Sequence, residues 1–147
     1  MKFSIVLFVI IFTLTALPVL AKAESSCACA IKYSDDARQV KYERKKFKAV
    51  FSGQVLDIKE KGENDLEVIF AVKESWKNAK VLRISVFTVK STPASCGYDF
   101  VKGETYLVFA WKADEGELRA TICSRTKLLT EAALDVRVLG KGKVPKG

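Results

Sequence analysis

The four cysteines constrain this chain more than any other feature of its 147 residues. Cys27 and Cys29 form a C-x-C motif near the N-terminus, whereas Cys96 and Cys123 lie far along the chain. A bond between Cys27 and Cys29 would close a very small, strained ring. We therefore expect two long-range disulfide bonds that fix the N-terminal segment to the body of the domain, with two connectivities still open.

The first 23 residues predict export. Lys2 precedes an apolar run from Phe3 to Phe12, and Ala21-Lys22-Ala23 forms a small-x-small site for signal peptidase. An uncleaved membrane anchor is the alternative, because the apolar run to Ala21 is almost long enough to span a bilayer. Pro18 and the cleavage site favour the interpretation that residues 1–23 are a signal peptide. The mature chain is then secreted, does not span the membrane, and meets an oxidising compartment in which cysteines pair.

The composition is that of one folded, basic domain. The chain has 25 Lys and Arg, 17 Asp and Glu, and no His, for a net charge of +8. Without His there is no Ser–His or Cys–His nucleophile pair and no His metal ligand, and neither a carboxylate pair nor a phosphate loop stands out. We therefore expect no enzymatic activity and no cofactor. A zinc site made by the four cysteines is disfavoured, because C-x-C is shorter than the usual ligand spacing.

Alternating and helical patterns predict five strands between two helices. Ser34-Asp35-Asp36 is a cap region for a short polar helix that runs to about Arg44. The apolar face of the first strand changes beside Gly53, where Leu56 and Ile58 take over from the preceding residues, and this change predicts a bulge or bend. The predicted strands are 47–58, 66–72, 81–89, 105–111 and 118–122. Five strands with a kinked first one predict a small closed barrel of the OB-fold type, flanked by helices.

The C-terminal part of the chain predicts a helix followed by a tail. Apolar residues recur at helical spacing from Leu129 to Leu139, Thr130 can cap the start, and Gly140 can end it. We expect this helix to pack against the barrel, so that residues 24–140 form a single domain. Residues 141–147 are rich in Lys, Gly and Pro, and they predict a disordered basic tail.

The cysteine motifs and the segments between them form an ordered set. Its members are the C-x-C motif, Phe51-Ser52-Gly53, the segment from Ser91 through Cys96-Gly97-Tyr98, Gly103 with Tyr106-Leu107-Val108-Phe109, and Thr121-Ile122-Cys123-Ser124. This set resembles the N-terminal domain of the tissue inhibitors of metalloproteinases, which belongs to the netrin-like (NTR) module family. The resemblance covers the chain from Cys27 to about Gly140. It implies an OB barrel, and it implies that Cys27 pairs with Cys96 and Cys29 with Cys123.

The resemblance also implies a mechanism and a partner, an extracellular zinc metalloprotease. In such inhibitors the first cysteine is the mature N-terminus, and its α-amine and carbonyl chelate the protease zinc. The implied inhibitory wedge consists of Cys27, Ala28, Cys29, Ala94, Ser95 and Cys96. Ala28 would enter the specificity pocket of the protease. Chelation requires Cys27 to be the mature N-terminus, whereas the best cleavage site leaves Glu24-Ser25-Ser26 ahead of it.

A basic cluster supports a different class of function. It consists of Lys41, Arg44, Lys45, Lys46 and Lys48, and the tail adds Lys141, Lys143 and Lys146. The alternative is therefore a non-inhibitory extracellular module that binds a matrix protein, a polyanion or an acidic cell surface, although such a cluster can also serve only solubility. Nucleic-acid binding is disfavoured by export, and because most aromatic residues fall on apolar strands where core packing explains them.

Overall fold

The computed structural model describes residues 27–92 and 94–146, so the predicted signal peptide and its cleavage site lie outside the described residues. The described chain is mainly β with two α-helices, as the sequence predicts. Its elements are α1 (Asp36–Lys46), β1 (Ala49–Lys61), β2 (Asp65–Lys77), β3 (Arg83–Val89), β4 (Thr105–Lys112), β5 (Leu118–Arg119), β6 (Lys127–Leu128), a 3-10 turn (Leu129–Glu131) and α2 (Ala133–Leu139).

The strand pairings close a ring. β1 pairs antiparallel with β2 along one edge and with β4 along the other. β2 pairs antiparallel with β3, and the short β5 joins the end of β3 to the end of β4. Five strands therefore form the ring in the order β1, β2, β3, β5 and β4, while β6 pairs with the start of β4.

A bulge in β1 explains the change of its apolar face. Val55 pairs with Phe70 and Asp57 with Ile69, so Leu56 is an extra residue with no partner on β2. An extra residue reverses the alternation of side chains. Val55 and Ile58 therefore both pack against the same core, although they are three positions apart. A second register shift lies between Ser52 and Gly53, where the sequence predicts the bend.

Two hydrophobic clusters lie on opposite faces of β1 and β4. One packs between the strands of the ring and includes Phe51, Phe70, Val86 and Val108. The other packs both helices against the outer face and includes Val40, Val50, Phe47, Leu107, Phe109 and Leu139. Neighbours on a strand point to opposite faces, which is why Val50 and Phe51 enter different clusters. Phe47 is the first residue of the predicted strand 47–58, but it precedes β1 and packs in the cluster under the helices.

Helix α1 begins where its capping residue predicts. The side chain of Asp35 accepts a hydrogen bond from the Arg38 amide at 2.7 Å. The helix ends two residues later than expected, with the Phe47 amide donating to the Glu43 carbonyl at 2.9 Å. Cations in its last turn lie at the negative end of the helix dipole, which stabilises them there.

Two predicted strands are longer than the observed ones. The third strand begins at Arg83, because Val81 and Leu82 are 51% and 54% exposed and lie in the preceding loop. The last predicted strand, 118–122, is paired only at Leu118–Arg119. Beyond it the chain leaves the sheet and turns toward the site where Cys123 is bonded. The sequence pattern does not predict β6.

The C-terminal helix is interrupted, contrary to the single helix predicted from Leu129. Leu128 still pairs with Tyr106 in β6, so the chain must change direction within a few residues, and the 3-10 turn Leu129–Glu131 makes that change. Ala132, not Thr130, is the N-cap of α2, and it provides no side-chain hydrogen bond. Gly140 ends the helix with a φ of 71°, as predicted.

Residues 141–146 pack against β2, where the sequence predicts a disordered tail. Lys143 and Ser75 exchange two backbone hydrogen bonds of 2.8 Å. The Trp76 indole donates to the Gly140 carbonyl at 2.6 Å, and the Gly142 amide donates to Glu74 Oε1 at 2.6 Å. β3 begins at Arg83, opposite Ala71, so this edge of β2 is not covered by β3 at Ser75 and is open to the tail.

Candidate functional site

Two disulfide bonds join the C-x-C motif to the body of the domain. Cys27 is bonded to Cys96 with a Cα–Cα distance of 5.7 Å, and Cys29 to Cys123 with a distance of 5.1 Å. This is the pairing that the resemblance implies. The bonds close loops of 69 and 94 residues. In the loop-entropy model each stabilises the fold by about 4 to 5 kcal/mol at most. All four cysteine sulfurs are paired in these two disulfides, so none of them is a thiolate ligand.

Cys96 is held on the end of β3 by the residues that follow it. Gly97 is buried, and the Tyr98 amide donates to Thr88 Oγ1 at 2.9 Å. Tyr98 then packs on Phe100 and Tyr106, with ring centroids 4.6 and 5.8 Å away. Burial raises the pKa of Tyr98 to about 12. The partner of Cys27 is therefore fixed to the sheet by both backbone and side-chain contacts.

Cys123 lies directly beside the first disulfide. The Ile122 amide donates to the Cys96 carbonyl at 3.1 Å, which ties the two bonded segments to each other. On the other side, the Ala120 amide donates to the Phe87 carbonyl at 2.9 Å and anchors the segment to β3. Both disulfides are therefore attached to one rigid corner of the molecule.

The segment before Cys96 forms a tight turn. The Ser95 amide donates to the Thr92 carbonyl at 3.1 Å, and the Thr92 amide donates to Ser95 Oγ at 2.9 Å. Ser95 Oγ also donates to the Lys90 carbonyl. These contacts occupy Ser95 and leave Ala94 exposed. Pro93, which lies between Thr92 and Ala94, is outside the described residues.

Cys27–Cys29 together with Ala94–Cys96 are called the N-terminal ridge below. The first disulfide joins its two halves, so the structure brings the six predicted wedge residues to one place. Ala28 and Ala94 are exposed, whereas Cys27, Ser95 and Cys96 are partly buried. Ala28 stands between two residues that are each bonded to the domain. The ridge therefore presents a small exposed side chain on a backbone with little freedom to move.

Helix α1 supports the chain that leaves the ridge. Gln39 is 4% exposed, and its Oε1 accepts hydrogen bonds from the amides of Tyr33 at 2.9 Å and Lys32 at 3.2 Å. Sequence reasoning missed Gln39. The available signal was its spacing of four from Glu43, which places both polar residues on the face of the helix that carries Val40.

A groove lies between the last turns of α1 and the end of β2. Its volume is about 550 Å³, and its lining residues are Lys41, Arg44, Lys45, Trp76 and Lys77, called the basic groove below. Lys77 Nζ donates to the carbonyls of Lys45 at 2.8 Å and Arg44 at 3.0 Å. Burial, and then the nearby Lys48 and Arg44, lower the pKa of Lys77. Sequence reasoning missed Trp76 and Lys77 because they lie on a strand far from the helix in sequence.

Charge pairing is uneven over the described surface. The cations that form ion pairs lie mostly on the strands and loops: Lys61, Lys90, Lys102, Arg119, Arg125 and Lys127. Within residues 27–92 and 94–146, none of those ion pairs includes the exposed cations of the basic cluster, which are Lys41, Arg44, Lys45, Lys46 and Lys48. The helix end therefore carries a concentration of unneutralised positive charge.

Metal-binding clusters and membrane-crossing helices are both absent from the part of the chain that the structure describes. There, no group of three or more Cys, Asp or Glu side chains is placed to hold a metal ion. Among the same residues, no helix has the length and apolar character needed to cross a membrane.

Comparison of the chain with models of known protein families gave no match, and comparison with curated proteins gave none either. The site is therefore interpreted from its own geometry and chemistry.

Proposed function

We propose that the protein is a secreted inhibitor of an extracellular zinc metalloprotease, with the N-terminal ridge as the inhibitory wedge. One observation carries the proposal: Ala28 is exposed between two cysteines that are each bonded to the body of the domain. A short, stiff, projecting segment of this kind enters an active-site cleft with little loss of conformational entropy. Its small side chain fits a specificity pocket without steric conflict.

The disulfide at Cys27 also determines which zinc ligands the ridge can offer. Its sulfur is bonded to Cys96, so only backbone groups of Cys27 remain available to a metal. If Cys27 is the mature N-terminus, its α-amine and carbonyl oxygen form a five-membered chelate ring with the zinc. An α-amine has an ordinary pKa of about 8, so zinc readily displaces its proton near neutral pH.

The fold supports the assignment to an OB-type barrel of the netrin-like family. Five strands pair in a ring, the first strand is bulged, and helices lie on the outer face. Disulfides of this kind are typical of proteins that fold in an oxidising compartment, which agrees with secretion.

Dependence on the protease zinc tests the proposal. The oxidised protein beginning at Cys27 is titrated into a metalloprotease catalytic domain with its zinc bound and into the same domain after zinc removal. We expect tight binding to the zinc form and binding at least about a hundredfold weaker without zinc, since the chelate cannot then form. Equal binding to both forms would refute the wedge mechanism.

The uneven charge supports a second function, binding of a polyanion such as an acidic matrix polysaccharide. The exposed cations of the basic cluster lack ion-pair partners within the described chain, and three of the five residues lining the basic groove belong to that cluster. Positive charge that is not neutralised internally attracts anionic polymers at low salt. The basic groove has no lining residue in common with the N-terminal ridge, so the two functions are compatible in one molecule.

A further inference from the structure

A pocket lies beside the Cys29–Cys123 disulfide, between the segment that follows the ridge and helix α1. Its volume is about 270 Å³. Ile31 and Ile122 line it and are 75% and 38% exposed, so they lie at its mouth. Glu43 also lines it but is only 4% exposed, so it lies at the inner end. We call this the Glu43 pocket.

Glu43 has one carboxylate oxygen without a partner. Gln39 Nε2 donates a hydrogen bond to Glu43 Oε1. Oε2 is buried, and no hydrogen-bond donor reaches it among the described residues. The amides of Lys32 and Tyr33 donate to Gln39 Oε1 and hold the Gln39 side chain in this orientation, with its Nε2 on Glu43 Oε1 rather than Oε2. Buried carboxylate oxygens are nearly always hydrogen-bonded, so this one calls for a donor from outside.

The charged groups around the pocket do not neutralise Glu43. Arg125 lines the pocket, but its guanidinium donates to Asp135 Oδ1 at 3.0 and 2.6 Å and lies 3.3 Å from Asp36 Oδ1. Lys127 Nζ lies 2.7 Å from the other oxygen of Asp135. The two cations and the two carboxylates therefore pair with one another, and neither cation forms an ion pair with Glu43.

We infer that the Glu43 pocket binds the primary ammonium group of a lysine side chain on a partner polypeptide. Glu43 Oε2 is shielded in the unbound molecule, so the Glu43 side chain must turn toward the pocket. The ammonium would then donate to Oε2, and the methylene arm would pass between Ile31 and Ile122 at the mouth. A divalent metal needs several oxygen ligands together, and the described residues hold no such group. A guanidinium binds best to two parallel carboxylate oxygens, and Oε1 is already taken by Gln39.

This inference is independent of the proposed inhibition, because it needs neither a free Cys27 amine nor a protease zinc. It can be tested on the oxidised full-length mature protein by NMR titration with Nα-acetyl-lysine methylamide. The matched probe is Nα-acetyl-norleucine methylamide, which has a similar arm but no charge. We expect saturable shifts of the Ile31, Ile122 and Gln39 signals with the lysine probe alone. Equal shifts with both probes, or no shifts with either, would overturn the inference.

A variant of the carboxylate separates charge from shape. Glu43→Gln keeps an oxygen that can accept from Gln39 but removes the charge, and we expect it to weaken binding of the lysine probe by about tenfold or more. Glu63→Gln removes an exposed charge in the turn between β1 and β2 and serves as the control with unchanged binding. Unweakened binding by Glu43→Gln would overturn the inference.

Discussion

Gly97 lies so close to Val89 that a Cβ atom at position 97 would come within 1.9 Å of the Val89 carbonyl oxygen. No side chain fits that space, and the obstacle is backbone that cannot rotate away. The close approach fixes Cys96, and through its disulfide it fixes Cys27. The position of the N-terminal ridge therefore depends on a glycine at the end of β3.

Gly97→Ala is expected to destabilise the fold by about 3 kcal/mol, because either β3 or the segment carrying Cys96 must shift. Denaturant unfolding of the oxidised protein measures this free energy. Gly62→Ala is the control, since its φ of 77° is strained for alanine but nothing lies within 4 Å of the added carbon. The control should lower the free energy of unfolding by about 1 kcal/mol. Equal costs for both variants would show that the close approach to Val89 does not constrain the ridge.

The raised pKa of Tyr98 predicts that the protein loses stability at high pH. Its pKa in the folded protein is about 12, above the ordinary value, because burial disfavours the charged form. An unfolded tyrosine ionises at a pH of about 10. Unfolding therefore releases a proton between these values, and the stability that Tyr98 contributes is complete below pH 10 and disappears as pH rises toward 12.

Tyr98→Phe should remove this part of the decline, as measured by urea unfolding between pH 9 and pH 12. Tyr42→Phe, which alters a tyrosine on α1, should keep the wild-type decline. If Tyr98→Phe and the wild type lose stability in parallel, packing on Phe100 and Tyr106 does not raise the pKa of Tyr98.

The basic groove predicts salt-sensitive retention on heparin. Lys41→Ala with Lys45→Ala should elute at clearly lower salt than the wild type, because a surface that neutralises fewer sulfate groups releases fewer counterions when it binds. Lys90→Ala with Lys102→Ala removes the same charge from lysines paired with Glu60 and Asp57, and it should change elution little. Equal shifts for the two double variants would mean that only net charge matters.

The exposed position of Ala28 predicts that a larger side chain there changes which proteases are inhibited. Ala28→Leu adds three carbons to the exposed tip of the ridge, each worth about 0.8 kcal/mol when buried. Against a protease with a deep apolar specificity pocket, we expect the inhibition constant to fall by up to roughly fiftyfold, the value for full burial of all three carbons. Ala133→Leu, at an exposed position on α2, should leave inhibition unchanged. No improvement from Ala28→Leu against any such protease would place Ala28 outside the interface.

The framework of the fold could be predicted from sequence because it depends on local patterns. Alternating apolar residues in β1 and β2, the Asp35 cap and Gly140 at the end of α2 all act within a few residues of themselves. A bulge or bend in β1 could also be predicted, since the extra residue shifts the apolar pattern in a way that is visible in the sequence. The pattern places it beside Gly53, whereas the extra residue of β1 is Leu56. The mainly β fold follows from these signals.

Other elements could not be predicted because distant backbone groups determine them. β6 forms because Leu128 pairs with the start of β4, and the tail contacts β2 because the backbone of Lys143 pairs with the open edge at Ser75. Neither pairing leaves a side-chain pattern. At the site, the cysteines of the ridge could be predicted. The buried pair of Gln39 and Glu43 was missed, because polar residues on a helix usually face solvent and their spacing of four is only a weak signal of burial.

In the proposed mechanism, the N-terminal ridge inhibits through the backbone amine of Cys27. The most direct measurement is the inhibition constant of two oxidised forms against one zinc metalloprotease, the first beginning at Cys27 and the second keeping Ser26. We predict strong inhibition by the first form and inhibition about a hundredfold or more weaker by the second, because the amide of Ser26–Cys27 cannot chelate zinc. Equal inhibition by the two forms, or none by either, would contradict the claim.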